Sequence, residues 1–467
     1  MRLNFIATIM MKKILLPALL SIFLITISSA QERRANKEGM KLIYSSDWDW
    51  DWHCNCRLTY DYKKKRNQNR RSYHTRYRYY HDEGVDNEFD FFSNIGPNPA
   101  IYGFSPSVQA IHYNRVNSLF IGVDTEFEDF THNFTDIYGF EVQALGGYSI
   151  GREEWQYQLG LEKPIGRKVV LGADIHNIVT TEDSWRTGLT ENTISSLVLG
   201  YDFHDYYKAE GYSFYGSIRA FDFTYLGVSY NTDTFNSVDA ITGYNIYGDG
   251  NIERLNPAID PSADEIFHQS IGLSLNINPR LYQYSRNFTT SLVFRGEIGN
   301  YDGNNNDFEF NKFIAQSNTI FRLDRSTFLK WRLMGGAITG EAPAFKQFAL
   351  GGIGTMRATD YKDIQGNTMV LSNAELVFGR TSDLDFGFFE LDGFYVSLFM
   401  DSGWAEFNNR LITESDPTIG FENFAVSEFT HNVGFGVGGD MFRLEFAKPL
   451  SDSGGLTAVW IRLNPTF

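Results

Sequence analysis

The sequence predicts an all-β fold, a transmembrane antiparallel β-barrel of about sixteen strands, and three observations carry that expectation. Apolar and polar residues alternate with period two, in segments of roughly ten residues, from about residue 110 to the C-terminus. Aromatic residues make up 16% of the 467 residues while Pro accounts for only 12, a composition that suits pleated strands edged by ring-rich girdles. Beyond the N-terminal segment no apolar run reaches the ~18 residues that a membrane helix needs, which excludes a polytopic helical protein. A hydrophobic content of 42% excludes a disordered chain.

The elements follow in chain order. Residues 1–30 read as a secretory signal peptide: Lys12 and Lys13 precede an apolar run from Ile14 to Ile27, and Ser28 and Ala30 stand at the -3 and -1 positions of a cleavage site. Residues 31–109 read as an N-terminal periplasmic extension or linker. This stretch opens with DWDWDWHCNC (47–56) and continues as a basic, Tyr-rich run from Arg57 to Tyr80. Basic residues interleaved with rings suit single-stranded nucleic acid, but export makes nucleic acid a poor partner. Cys54 and Cys56 with His53 offer only three soft-metal ligands at a spacing foreign to zinc sites, so no metal and no cofactor is expected.

Residues 110–467 form the expected barrel. Residues 84–467 carry 49 acidic against 25 basic residues, a balance that repels nucleic acid yet is ordinary for a barrel with an acidic lumen and external loops. In SLVFRGEIG, Leu292, Phe294 and Ile298 share one face while Ser291, Arg295 and Glu297 share the other. In MFRLEFA, Phe442, Leu444 and Phe446 oppose Arg443 and Glu445; at the end Val459, Ile461, Leu463 and Phe467 oppose Trp460, Arg462 and Asn464. A soluble sandwich also alternates, but it does not usually reserve its interior for Arg and Glu. Sixteen segments emerge, near 116–126, 137–149, 154–164, 168–178, 194–202, 211–220, 223–231, 266–277, 288–299, 309–322, 327–338, 368–378, 394–404, 428–438, 440–447 and 457–467. Short and long connections alternate in the second half but not in the first, which points to one misplaced early strand.

Enzyme signatures are weak, and no enzyme is expected. GYSIG (147–151) matches the nucleophile-elbow pattern but falls at a strand end before a charged turn. SDSGG (451–455) lies between two strands, where a loop belongs. YDGNNND (301–307) offers oxygen ligands but lacks the Gly at the sixth position and the Glu at the twelfth that a calcium loop uses.

Three distant segments carry a resemblance. FALGGIGTMRATDY (348–361), SNAELVF (372–378) and LFMDSGW (398–404) resemble, in order and spacing, the Gly-rich sixth external loop and the two strands after it in the BamA/TamA-type insertase and surface-antigen superfamily. The terminal Phe467 is similar to that family's sorting signal, and Pro465, beside it, is unusual there. Gly351, Gly352 and Gly354 would let the loop fold back into the lumen, because Gly accepts positive φ and close backbone approach. Strand parity points Glu375 and Asp401 inward, so a guanidinium from Arg357 bridging both is the economical arrangement, and the resemblance places Arg357 there. Gly403 closes the DxG strand motif. Where the family has Arg-Gly-aromatic this chain has Arg357, Ala358 and Thr359, and Tyr361 is the candidate for the missing ring. The resemblance implies an outer-membrane protein of a Gram-negative bacterium that assists assembly or translocation of proteins, with lipid and unfolded outer-membrane or secreted clients as partners. The residues before the first strand show no clear βααββ patterning, so a member without the family's periplasmic modules is expected. The alternative is a passive channel or structural barrel.

Overall fold

The computed structural model describes residues 109–463, apart from 125–135, 138–139, 166–167, 222, 248–249, 253, 262, 279–287, 304–306, 325, 386–389, 423, 440–441 and 451–457. The signal segment, Cys54, Cys56, most of the 31–109 extension, the SDSGG loop, Asn304 and Asn306, Pro465 and Phe467 therefore lie outside the described residues.

In chain order the strands are β1 (Ile111–Asn114), β2 (Ser118–Asp124), β3 (Asp136–Ile137), β4 (Phe140–Ser149), β5 (Glu154–Ile165), β6 (Val169–Thr181), β7 (Tyr206–Phe221), β8 (Thr224–Ser237), β9 (Glu265–Ile277), β10 (Phe288–Gly303), β11 (Asp307–Arg322), β12 (Thr327–Gly340), β13 (Phe348–Leu350), β14 (Ile364–Gly366), β15 (Thr368–Asp385), β16 (Glu390–Glu406), β17 (Thr430–Gly438), β18 (Phe442–Pro449) and β19 (Ala458–Leu463). Sixteen of them make the wall, an antiparallel meander in which β1, β2, β4 to β12 and β15 to β19 each pair with the next. β3 extends the pairing of β4, and β13 and β14 form a small hairpin of their own.

The predicted strand at 194–202 is instead part of a helix, α1 (Leu189–Leu199). Its β-branched Thr193, Ile194 and Val198 read locally as strand, but the tertiary setting overrides a weak propensity. The helix stops at Gly200, whose φ of 80° only Gly adopts freely and whose N–H donates to the Ser196 carbonyl at 3.1 Å. The four-residue β1, too short to show a period, restores the total of sixteen. With these two corrections the ends of the meander sort themselves. One end carries brief connections, such as those between β7 and β8 and between β17 and β18, and the other carries the long connections 182–205, 238–264, 341–367 and 407–429.

The two faces of the wall are inverted relative to a soluble protein. Val123 (71% accessible), Trp155 (73%), Phe214 (56%) and Val459 (55%) stand exposed on the outside, while Asp401, Glu445 and Arg443 on the inside are 0% accessible. A continuous apolar exterior over a charged, buried interior is the surface of a transmembrane barrel, since only a closed set of strands satisfies its backbone in hydrocarbon. The lumen is filled from the long-loop end. Phe348, Leu350 and Met356 of the 341–367 connection pack with Tyr207, Phe235, Phe310, Met334, Met369 and Leu371 of the wall into one buried cluster.

Candidate functional site

Parity and register build the site before the loop enters it. On β15, Asn373 and Glu375 point inward; on β16, Asp401 and Phe399 do; on β18 and β19 the inward residues are Arg443, Glu445, Trp460 and Arg462. The β15–β16 register sets Asn373 opposite Asp401 and Glu375 opposite Phe399, and β17 places Asn432 on the other side of Asp401. The wall thus presents a patch of carboxylates and guanidinium groups inside the lumen.

The 341–367 loop delivers one more cation to that patch. Gly351, Gly352 and Gly354 have φ of 122°, 82° and 77°, and a Cβ on Gly354 would meet the Arg186 carbonyl at 1.8 Å. Each therefore carries the positive φ expected of a chain folding back on itself. Gly403 on β16 serves a different end: a Cβ there would lie 2.8 Å from Met356 Sδ and 3.0 Å from Leu350 Cδ1, so its bareness admits the loop.

At the loop tip, Arg357 forks onto Asp401. Its Nε donates to Oδ2 at 2.8 Å and its Nη2 to Oδ1 at 2.8 Å, with the backbone N–H adding a contact to Oδ2 at 3.2 Å. The remaining nitrogen, Nη1, donates to Glu445 Oε1 at 3.1 Å. Glu375 is therefore not the second acid of the fork. It accepts from Arg443 Nη1 at 2.6 Å, and Arg443 in turn reaches Glu445. The reason is register: Asn373 is the residue level with Asp401, where its Nδ2 donates to Asp401 Oδ1 at 2.7 Å, and Glu375 lies two residues further along. Burial alone would lower the Arg357 pKa; Asp401, then Glu445, outweigh it and hold the group above its ordinary value.

The ring expected from Tyr361 comes from Phe399, whose centroid is 3.3 Å from the Arg357 guanidinium carbon. Trp460 Nε1 completes the grip by donating to the Arg357 carbonyl at 2.7 Å. Tyr361 faces elsewhere, donating to the Phe203 carbonyl and lying under Arg254 at 4.3 Å.

A second set of ion pairs ties the long connections to one another. Lys362 bridges Asp183 at 2.7 Å and Asp205 at 2.6 Å; Arg186 binds Asp183 at 3.0 Å; Arg254 and Arg115 both reach Asp205. Burial would raise the Asp183 and Asp205 carboxyls, but Lys362 above all depresses both. At the root of the loop, Lys346 pairs with Glu182 and with Glu297 of β10 at 3.2 Å.

The remaining motif, GYSIG, sits at a strand end and not at a strand-to-helix elbow. Ser149 Oγ donates to the Asn117 carbonyl at 3.0 Å. Among the described residues no group of His, Cys, Asp and Glu is placed to hold a metal ion. The arrangement is suited to holding a loop, by charge-assisted hydrogen bonds between buried groups. What the sequence did not reveal is the Arg443–Glu375 pairing and the whole 182–205 network; inward parity of Arg443 and Glu445 was the one available signal.

No protein-family model matches the chain. No curated protein matches it. Among solved structures it is similar to BamA from Haemophilus ducreyi lacking POTRA domains 1–3, at 14% identity and a TM-score of 0.46, over 75% of this chain and 67% of that one. It is also similar to CdiB from Acinetobacter baumannii (11% identity, TM-score 0.39, 74% of this chain and 56% of that one) and CdiB from Escherichia coli (11%, 0.36, 73% and 61%). The chain thus spans less than two thirds of either CdiB chain.

Proposed function

We propose that this protein resides in the outer membrane of a Gram-negative bacterium and assists the assembly or translocation of other proteins there, by non-covalent means. The observation that supports this reading is the meeting of three sequence-distant motif segments at one point: Arg357 of the Gly-rich loop binds Asp401 of the DxG strand, and Asn373 of the 372–378 segment donates to the same carboxylate. A pore would gain nothing from a loop tip buried at 2% accessibility, held by a bidentate fork and packed into its own lumen. A barrel that must stay closed while its wall is disturbed gains a strut. Unfolded outer-membrane or secreted proteins are the partners this reading assigns, with lipid around the wall. Affinity capture of the tagged protein from outer membranes tests it. Recovery of unfolded barrel precursors supports assembly, and recovery of lipid alone favours a structural barrel or channel.

A further inference from the structure

The first and last strands of the wall are joined by something other than strands alone. A strand's N–H groups lie in the sheet plane and point alternately to its two neighbours. In β19, Leu463 stands opposite Phe442 of β18, yet its N–H donates to Glu191 Oε1 of helix α1 at 2.9 Å. The donor on the edge away from β18 is thus taken by a carboxylate. The same carboxylate binds Arg462 through Nε at 2.8 Å and Nη2 at 3.3 Å, with Glu191 5% and Arg462 2% accessible.

The helix is equally tied to the first strand. α1 lies against β1, and Gln109, just before β1, donates to Thr190 in its first turn. Asn192 donates to Asp202 at 3.0 Å and accepts from the Phe203 N–H at 2.7 Å; Asp202 accepts from the Arg115 backbone N–H at 2.9 Å in the β1–β2 turn. One short helix therefore grips both ends of the meander, the β1 side through Asp202 and the β19 side through Glu191. Arg462 also lies 3.8 Å from Glu445, the acid that Arg357 shares, so the helix contact and the loop anchor form one chain of charges.

We propose that α1 is a latch across the seam between β1 and β19, with Glu191 occupying an edge donor that an incoming extended strand would otherwise pair with. Opening the seam requires Glu191 to leave Leu463 and Arg462 together. The latch follows from the contacts alone; only the identity of what it excludes, a client strand, rests on the assembly role proposed above.

Hydrogen–deuterium exchange of the full-length protein in detergent, read on the peptide covering 458–463, tests the latch. Glu191→Ala is expected to speed exchange there about tenfold or more, the scale of one lost charge-assisted hydrogen bond. Glu191→Gln, which keeps an acceptor oxygen, is expected to fall between, and Ile194→Ala on the exposed side of α1 to match the parent. Should Glu191→Ala not fold, Glu191→Gln and Arg462→Gln give the same reading. Parental exchange rates in all of these overturn the proposal. A synthetic peptide of residues 456–467 carrying a photo-crosslinker, offered as an extended strand, reports the second arm: faster exchange with increased crosslinking to β19 supports latch and assembly role together. Faster exchange without crosslinking supports the latch and tells against the assembly role.

Discussion

At Arg357 one side chain serves two buried carboxylates, so its loss takes the forked partner from Asp401 and leaves Glu445 to Arg443 and the more distant Arg462. Breaking a buried pair from one side costs on the order of 3–5 kcal/mol, less where water enters. Arg357→Ala is therefore expected to expose the 341–367 loop to protease added to intact cells. Arg357→Lys should restore protection only in part, because a point charge cannot fork between two oxygens of Asp401 and still reach Glu445. Asp401→Asn should loosen the loop more than Glu375→Gln does, since Glu375 is held by Arg443. Equal protection of the loop in all variants and the parent would remove the anchor. Parity made the inward direction of Asp401, Glu375, Arg443 and Glu445 legible in the sequence. Which acid meets which cation was not legible, because that depends on the stagger between β15 and β16, and alternation within a strand says nothing about stagger.

The loops are held by shape and by charge, and each has its own test. Gly354→Ala places a methyl against the Arg186 carbonyl and forces a positive φ, so the loop must move. Gly379 supplies the control: its φ is 83° but a Cβ there meets nothing within 4 Å. Gly379→Ala should cost only the left-handed strain, about 1–2 kcal/mol, and leave loop protection intact, whereas Gly354→Ala should abolish it. The ionic ties among 182–205, 238–264 and 341–367 have a pH signature. The Asp183 and Asp205 carboxyls are depressed in the folded protein, so their contribution is complete above the ordinary carboxylate value of ~4 and is lost as pH falls through the lower folded values. Hydrogen exchange across residues 356–363 should thus stay constant from pH 7 to about 5, after correction for intrinsic rates, and rise only below about 4. Loosening between pH 7 and 5 would show that other groups hold the loops. At this scale the strands were legible wherever a full period-two segment existed. α1 was not: eleven residues rich in β-branched side chains look like strand until Glu191 and Asn192 find partners ten or more residues away.

For the molecule as a whole, composition and alternation were enough to predict a barrel of this size, because a lipid-facing exterior constrains every strand in the same way. How the lumen is filled was readable only at the Gly-rich loop, whose glycines announced a fold-back; the Lys362 ion pairs that tie the loops together join it to residues 157 and 179 positions away and leave no local pattern. As proposed, the lumen loop is a strut and α1 a clasp, with Glu445 common to both through Arg357 and Arg462. On the proposed reading, the lumen is closed at rest and opens when the strut is cut. Single-channel conductance in planar bilayers tests this most directly, comparing the parent with Arg357→Ala. The account predicts a parent that is closed for most of the record and an Arg357→Ala variant with larger and more frequent openings. A parent that is a permanently open pore, with a conductance unchanged by Arg357→Ala, would contradict it.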